Sequence, residues 1–182
     1  ITTLLWVDLG NEYVWLAIIT MLSFGMVGFW DDYLQIKKKK SRGLVARNKF
    51  IFQTILAAVI GLILLYLGSQ GDFSLHLSVP FFKKWTPYFG AFYLPWIMFV
   101  LVGSSNSVNI ADGLDGLAIG LALISASAFT ALSYIASHSL WSEYLDIPYV
   151  ELSAELTIFL GALVGSCFGF LWYNCHPAEI FM

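Results

Sequence analysis

Residues 50–68 read FIFQTILAAVIGLILLYLG, nineteen residues without a Lys, Arg, Asp or Glu. A helix rises about 1.5 Å per residue and the hydrocarbon core of a bilayer is roughly 30 Å thick, so one such stretch crosses it once. Lipid offers backbone N–H and C=O groups no partner but each other, which makes helix the economical conformation. Four further runs share this composition: Tyr13 to Trp30, Tyr88 to Gly103, Gly116 to Ser137 and Leu156 to Tyr173. Ile1 to Leu9 reads as the tail of a sixth. Trp15, Trp30, Tyr66, Tyr88, Trp141, Trp172 and Tyr173 fall near the ends of these runs. Amphipathic rings prefer the membrane–water interface, so their positions agree with these boundaries.

The whole composition agrees with this reading. Hydrophobic residues make up 59% and charged residues 12%, with a mean hydropathy of +0.77. That combination lies outside the range of a soluble domain. The expected fold class is all-α, a polytopic transmembrane bundle of about five full spans plus the tail of a sixth. Residues 1–182 read as a single membrane-embedded domain, without internal repeat, and both ends, Ile1 and Met182, look cut. No short apolar core with a cleavage site opens the chain, so the runs are mature structure rather than a signal peptide. The two cysteines, Cys167 and Cys175, are too few and too close for a disulfide framework or a metal knot.

Seven of the nine basic residues lie between Lys37 and Lys49. Short loops rich in Lys and Arg stay cytoplasmic, so the segment Asp31 to Lys49 sets the orientation. By parity, Ser69 to Pro87 and His138 to Glu155 are then outside, while Ser104 to Asp115 and Asn174 to Met182 are inside. The outer segments carry Asp72, Glu143, Asp146, Glu151 and Glu155 with only Lys83 and Lys84, in agreement with that count.

Three segments assigned to the cytoplasmic side have compositions that packing in lipid does not explain. They are FWDDY with Asp31 and Asp32, SSNSVNIADGLDGL from Ser104 to Leu117, and WYNCHPAEIFM from Trp172 to Met182. A carboxylate at the bilayer centre costs about 2.5 to 3.5 kcal/mol on insertion scales, so these aspartates must be near water, paired, or holding cations. Asp31 and Asp32 at a helix C-terminus would oppose the macrodipole and gain nothing from that position. Asn106, Asn109, Asp112 and Asp115 recur every third residue, a spacing that drifts about 60° per step on a helix of 3.6 residues per turn. A straight helix cannot converge all four, and Gly113 and Gly116 permit a break that would make a polar pocket there. Interhelical hydrogen bonding by the asparagines is the plainer alternative.

Carboxylates beside a Lys and Arg cluster suit a diphosphate substrate. Basic side chains neutralise phosphate oxygens, while carboxylates hold Mg2+, which takes about one or two of them plus substrate oxygens. Lys37 to Lys40 read equally well as a solvated topogenic run. Arg42, Arg47 and Lys49, interleaved with Gly43, Leu44 and Phe50, are better placed to fold back towards a site. His76 and His138 are assigned to the outer side and His176 stands alone beside Pro177, so none of the three is expected in the site.

GFWDDY, SRGLVARNKF, NSVNIADGLDGLAIG and GFLWYNCHPAEIFM together resemble the phospho-N-acetylmuramoyl-pentapeptide transferases, a branch of the polyprenyl-phosphate sugar-phosphate transferases. The similarity runs the length of the chain. The paired aspartates and DGLDG belong to the wider superfamily, and the pattern of Asn174, Pro177, Ala178, Phe181 and Met182 to the muramoyl branch. The resemblance implies a Mg2+-dependent reaction at the cytoplasmic face of the bacterial inner membrane. UDP-N-acetylmuramoyl-pentapeptide and undecaprenyl phosphate would give the first lipid-linked peptidoglycan precursor and UMP. It implies Asp31 and Asp32 as the paired catalytic aspartates and metal ligands, and Asn174 as an active-site asparagine. Asn109, Asp112, Gly113, Leu114 and Asp115 would form the nucleoside-side pocket, and Phe181 would stack on uracil. In the family the Phe-Met pair is followed by Gly-Asp, so a third metal-binding aspartate is expected beyond Met182 and residues 1–182 alone are expected to be inactive. Gln35 stands where many relatives carry a basic residue. Besides the two substrates and the bilayer, a homodimer is the one partner left open, and no nucleic acid is expected. A UDP-N-acetylglucosamine transferase remains a rival, as does a transporter or channel subunit.

Overall fold

The computed structural model describes the chain except for residues 39–43, 72, 80, 81, 83, 84, 181 and 182, and the side chain of Lys38. The readings for Arg42 and Phe181, and those for Lys38 to Lys40, Gly43, Asp72, Lys83, Lys84 and Met182, therefore lie outside what is described. The described residues form seven α-helices and no strand: α1 (Thr2–Trp6), α2 (Glu12–Lys38), α3 (Ala46–Gln70), α4 (Tyr93–Ala111), α5 (Leu117–Ala136), α6 (Ser139–Leu145) and α7 (Ala154–Asn174). Five helices, α2, α3, α4, α5 and α7, are long and apolar enough to cross a membrane, as the five runs predict. The chain is thus a multi-pass, all-helical membrane segment.

The helix limits depart from the apolar runs where local chemistry permits. The run ending at Trp30 continues as helix through Asp31 and Asp32 to Lys38. Residues 31–38, DDYLQIKK, contain neither Gly nor Pro and include Leu, Gln and Lys, good helix formers, so charge ends the membrane run without ending the helix. At Tyr88 the opposite happens. Tyr88 pairs with His76 in an isolated antiparallel bridge, a 3-10 turn spans Gly90–Phe92, and α4 begins at Tyr93. Pro95 sits in the first turn of α4, where its missing N–H costs no helical hydrogen bond. At its other end α4 runs through Ser104 to Ala111, residues the hydropathy assigned to a connecting loop. The expected sixth span is represented by the five-residue α1, and α6 is an additional short helix in the segment after α5.

The chain divides into two compact units, one of Ile1–Ala17 with Ser107–Met182 and the other of Ile18–Asn106. In the second, the buried face of α3 is Gln53, Ala57, Ile60, Gly61, Leu64 and Leu67, an alternation of three and four residues that keeps one stripe inward. Gly61 lets α4 come close: a Cβ there would lie 2.7 Å from both Ile97 Cγ2 and Leu94 Cδ1. Buried Gln53 accepts a 2.8 Å hydrogen bond from Asn106 Nδ2 and donates one of 3.1 Å to Ser105 Oγ. These bonds satisfy an amide in an otherwise apolar seam and join the start of α3 to the later part of α4.

In the first unit α5 packs along α7, burying Ala118, Ile119 and Ala126 against a helix whose buried residues are Phe159, Cys167 and Asn174. The two run antiparallel. At the α5 C-terminal end, Ser133 Oγ donates to Ser153 O at 2.7 Å and Ser153 Oγ to Ser133 O at 3.0 Å. Asn11 Oδ1 caps α2 by accepting the Tyr13 and Val14 N–H groups, while its Nδ2 donates to Leu152 O at 2.8 Å. Large apolar side chains of the long helices point outward, among them Met26, Phe99, Ile110, Ile124 and Phe168, as in helices that are apolar all round.

Candidate active site

Because α2 continues through the paired aspartates, Asp31 and Asp32 stand about 100° apart around its axis and cannot share a face. Asp31 is buried and Asp32 exposed. Nor do they sit at a helix end, since α2 continues to Lys38. Asp31 Oδ1 accepts the Leu44 N–H at 2.7 Å and Oδ2 accepts Lys49 Nζ at 2.8 Å. Lys49 lies in the first turn of α3, so the pair joins the C-terminal third of α2 to the start of α3. The side chains retain only 15% and 13% of their surface, for Lys49 and Asp31 respectively, a setting in which charge-assisted bonds are strong. Arg47, also in the first turn of α3, is exposed and makes no ion pair with a described residue.

Among the described residues no group of three or more His, Cys, Asp or Glu converges as a metal-binding cluster. The donor chemistry of this corner nevertheless suits Mg2+, which needs few protein carboxylates and takes the rest of its oxygens from water and substrate. Asp32 offers an exposed carboxylate with no hydrogen bond to a described residue, whereas both Asp31 oxygens are engaged.

The other predicted residues belong to the unit with α5 and α7. Asn109 is exposed on the last turn of α4, and the Asp112 N–H still bonds to Val108 O at 3.1 Å as that helix ends. Gly113 and Leu114 lie in the following turn, Leu114 well exposed. Gly116 then takes φ +78, a left-handed conformation that glycine adopts without strain, and α5 begins. The three-residue series is thus divided between α4 and a turn, as its angular drift demands. The break runs from Asp112 to Gly116, and of the two glycines only Gly116 takes a positive φ.

Asn174, at the end of α7, is buried. Its Oδ1 accepts the Gly116 N–H at 3.1 Å and its Nδ2 donates to Ile180 O at 2.8 Å. Both ends of the amide are taken by backbone, so Asn174 ties α7 to the start of α5 and folds the following segment back. Tyr173 O holds that segment too, accepting the Glu179 and Ile180 N–H groups at 2.9 and 3.1 Å. The folded segment reaches Asp115: Oδ2 accepts His176 Nδ1 at 3.2 Å and the Ala178 N–H at 3.4 Å. Asn174 and Asp115, both expected in the site, therefore lie at one corner together with His176, which sequence reasoning left out. Its partner is 61 residues away along the chain, and nothing in the pattern around Pro177 signals it.

The chain belongs to glycosyl transferase family 4, whose family model matches residues 14–182. It is 48% identical over 182 residues to the phospho-N-acetylmuramoyl-pentapeptide-transferase of Oleidesulfovibrio alaskensis, covering 100% of this chain and 50% of that protein. The proteins of the same name from Thermodesulfovibrio yellowstonii and Citrifermentans bemidjiense are 46% and 47% identical over 182 and 180 residues. Those matches cover 100% and 99% of this chain, and 50% and 49% of the two relatives. The chain spans about half the length of the curated relatives it matches.

Proposed function

We propose that the protein carrying this chain transfers phospho-N-acetylmuramoyl-pentapeptide from its UDP derivative to undecaprenyl phosphate. The products are the first lipid-linked peptidoglycan precursor and UMP. The observation that carries the proposal is the identity of 43–48% across the chain to relatives of that name. An oxygen of the lipid phosphate attacks the sugar-linked phosphorus of the donor, a new P–O–P bridge forms, and the bridge to UMP breaks. Phosphoryl transfer of this kind rests on positioning and charge neutralisation more than on a reactive side chain. A bound Mg2+ would neutralise phosphate oxygens during the transfer, with exposed Asp32 as its direct ligand, while Asp31, whose two oxygens accept the Leu44 N–H and the Lys49 ammonium, would hold that ammonium in position. Lys49, held by Asp31, presents an ammonium group for a phosphate oxygen, and Arg42 and Arg47 supply further positive charge. Asn109, Asp112, Gly113, Leu114 and Asp115 receive the nucleoside, with Asn174 supporting their turn and Phe181 stacking on the base. The Lys and Arg content of the Lys37 to Lys49 segment supports a cytoplasmic-facing site, and the bacterial relatives support an inner-membrane setting.

The test is UMP release by the full-length parent supplied with Mg2+, a polyprenyl phosphate and either UDP-N-acetylmuramoyl-pentapeptide or UDP-N-acetylglucosamine. Release with the muramoyl donor supports the proposal; release with the other donor alone overturns it. Residues 1–182 by themselves, about half the relatives' length, are expected to release no UMP.

A further inference from the structure

We propose that His176 is a positioning residue for Asp115, holding that carboxylate in the orientation that receives the nucleoside of the UDP-sugar. The inference rests on the nucleoside role proposed above for Asp115 and adds the group that sets its geometry. An ionised carboxylate only accepts hydrogen bonds, so the 3.2 Å contact between His176 Nδ1 and Asp115 Oδ2 requires that Nδ1 carry the hydrogen. The Ala178 N–H reaches the same oxygen at 3.4 Å. Two donors on Oδ2 restrain rotation about the Cβ–Cγ bond, while Oδ1 makes no hydrogen bond to a described residue. That oxygen can accept from a ligand, and a uridine offers ribose hydroxyls and an imide N–H.

Burial does not account for the histidine, whose side chain retains 84% of its surface against 28% for Asp115. Exposed ion pairs add little to stability, so this contact has little value as a structural brace. Its position fits an orienting role. Asn174 anchors the segment by binding the Gly116 N–H, next in sequence to Asp115, and Ile180 O. Between those anchors the segment bends at Pro177. Held at both ends, it presents the imidazole and the Ala178 N–H to one carboxylate oxygen.

The test uses the full-length parent and three variants. His176→Phe keeps a ring but removes the donor, His176→Asn restores an N–H near the Nδ1 position, and Asp115→Asn removes the charged acceptor. Loss of one orienting bond should raise the KM for UDP-sugar about three- to tenfold in His176→Phe with kcat little changed, and His176→Asn should recover most of it. On the Asp115→Asn background, His176→Phe should add little, because coupled residues are not additive. A KM unchanged in His176→Phe, or an equal effect with and without the Asp115 carboxylate, overturns the proposal. Independently of substrate, 15N NMR of labelled histidine should show a protonated Nδ1 at His176 that changes in Asp115→Asn. A His176 signal indifferent to that substitution also overturns it. A parent that bound no UDP-sugar yet kept the Asp115-dependent signal would sink the nucleotide reading while upholding the contact itself.

Discussion

Lys49 Nζ lies 2.8 Å from Asp31 Oδ2, and the adjacent aspartate, Asp32, is turned about 100° away from that pair. One helix therefore offers two carboxylates in different electrostatic settings, one neutralised by an ammonium and one open to solvent. The pair is small enough to be tested residue by residue.

Removing the Lys49 charge should impair transfer more than folding. In the full-length parent, Lys49→Met is expected to lower the initial rate of UMP release about ten- to a hundredfold, and Lys49→Arg less, because arginine keeps a charge-assisted bond to the carboxylate. An unchanged rate in Lys49→Met would leave the pair as a helix-to-helix tie alone.

The two aspartates should respond differently to metal. Asp32→Asn weakens the proposed direct ligand, so raising Mg2+ about tenfold should recover part of its activity, while Asp31→Asn, which disrupts the Lys49 pair, should recover little. Equal rescue of both variants would refute this division of labour.

Phe181 is assigned by resemblance to stack on uracil. Base stacking on an aromatic side chain contributes about 1 to 3 kcal/mol, so Phe181→Ala should weaken UDP-sugar binding roughly ten- to a hundredfold in a detergent titration while leaving polyprenyl phosphate binding largely intact. Equal nucleotide affinity for variant and parent would return Phe181 to the status of an ordinary interfacial residue.

Within the helices, Gln53 supplies a stability test. Gln53→Leu removes the acceptor of Asn106 Nδ2 and should cost about 1 to 2 kcal/mol, read as a lower midpoint of thermal unfolding in detergent. Adding Asn106→Leu should recover part of the loss, because the amide left without Gln53 is then also removed. A double variant less stable than Gln53→Leu would show that Asn106 contributes through its bond to Val102 O instead.

Gly61 tests the close approach of α3 and α4. A Cβ at this position meets Ile97 and Leu94 side-chain carbons at 2.7 Å, so Gly61→Val should destabilise by about 1 to 3 kcal/mol through overpacking. Gly25, whose added Cβ would meet nothing within 4 Å, serves as the control position for the same substitution.

Hydropathy along the chain was enough to set the membrane architecture. A run such as residues 50–68 has one economical conformation in lipid because its backbone can bond only to itself, and all five runs became helices long enough to cross. The sequence also picked out Asp31, Asp32 and Asp115, since carboxylates beside apolar runs carry an energetic cost that needs a reason, and Lys49 in the basic segment that follows; Asn174 came from the family resemblance. Where helices end was less legible: DDYLQIKK reads as a loop by charge, yet helix propensity carries α2 through it. Partnership was decided only in the tertiary structure. Lys49 was one of several basic residues near Asp31, and among the described residues it is Lys49, not Arg47, whose Nζ reaches that carboxylate. His176 entered because Asn174 fixes the segment beyond α7 onto the turn before α5, bringing together groups 61 residues apart. Hydropathy is a sum over neighbours in the chain and locates the spans; a hydrogen bond depends on neighbours in space, which packing alone assigns.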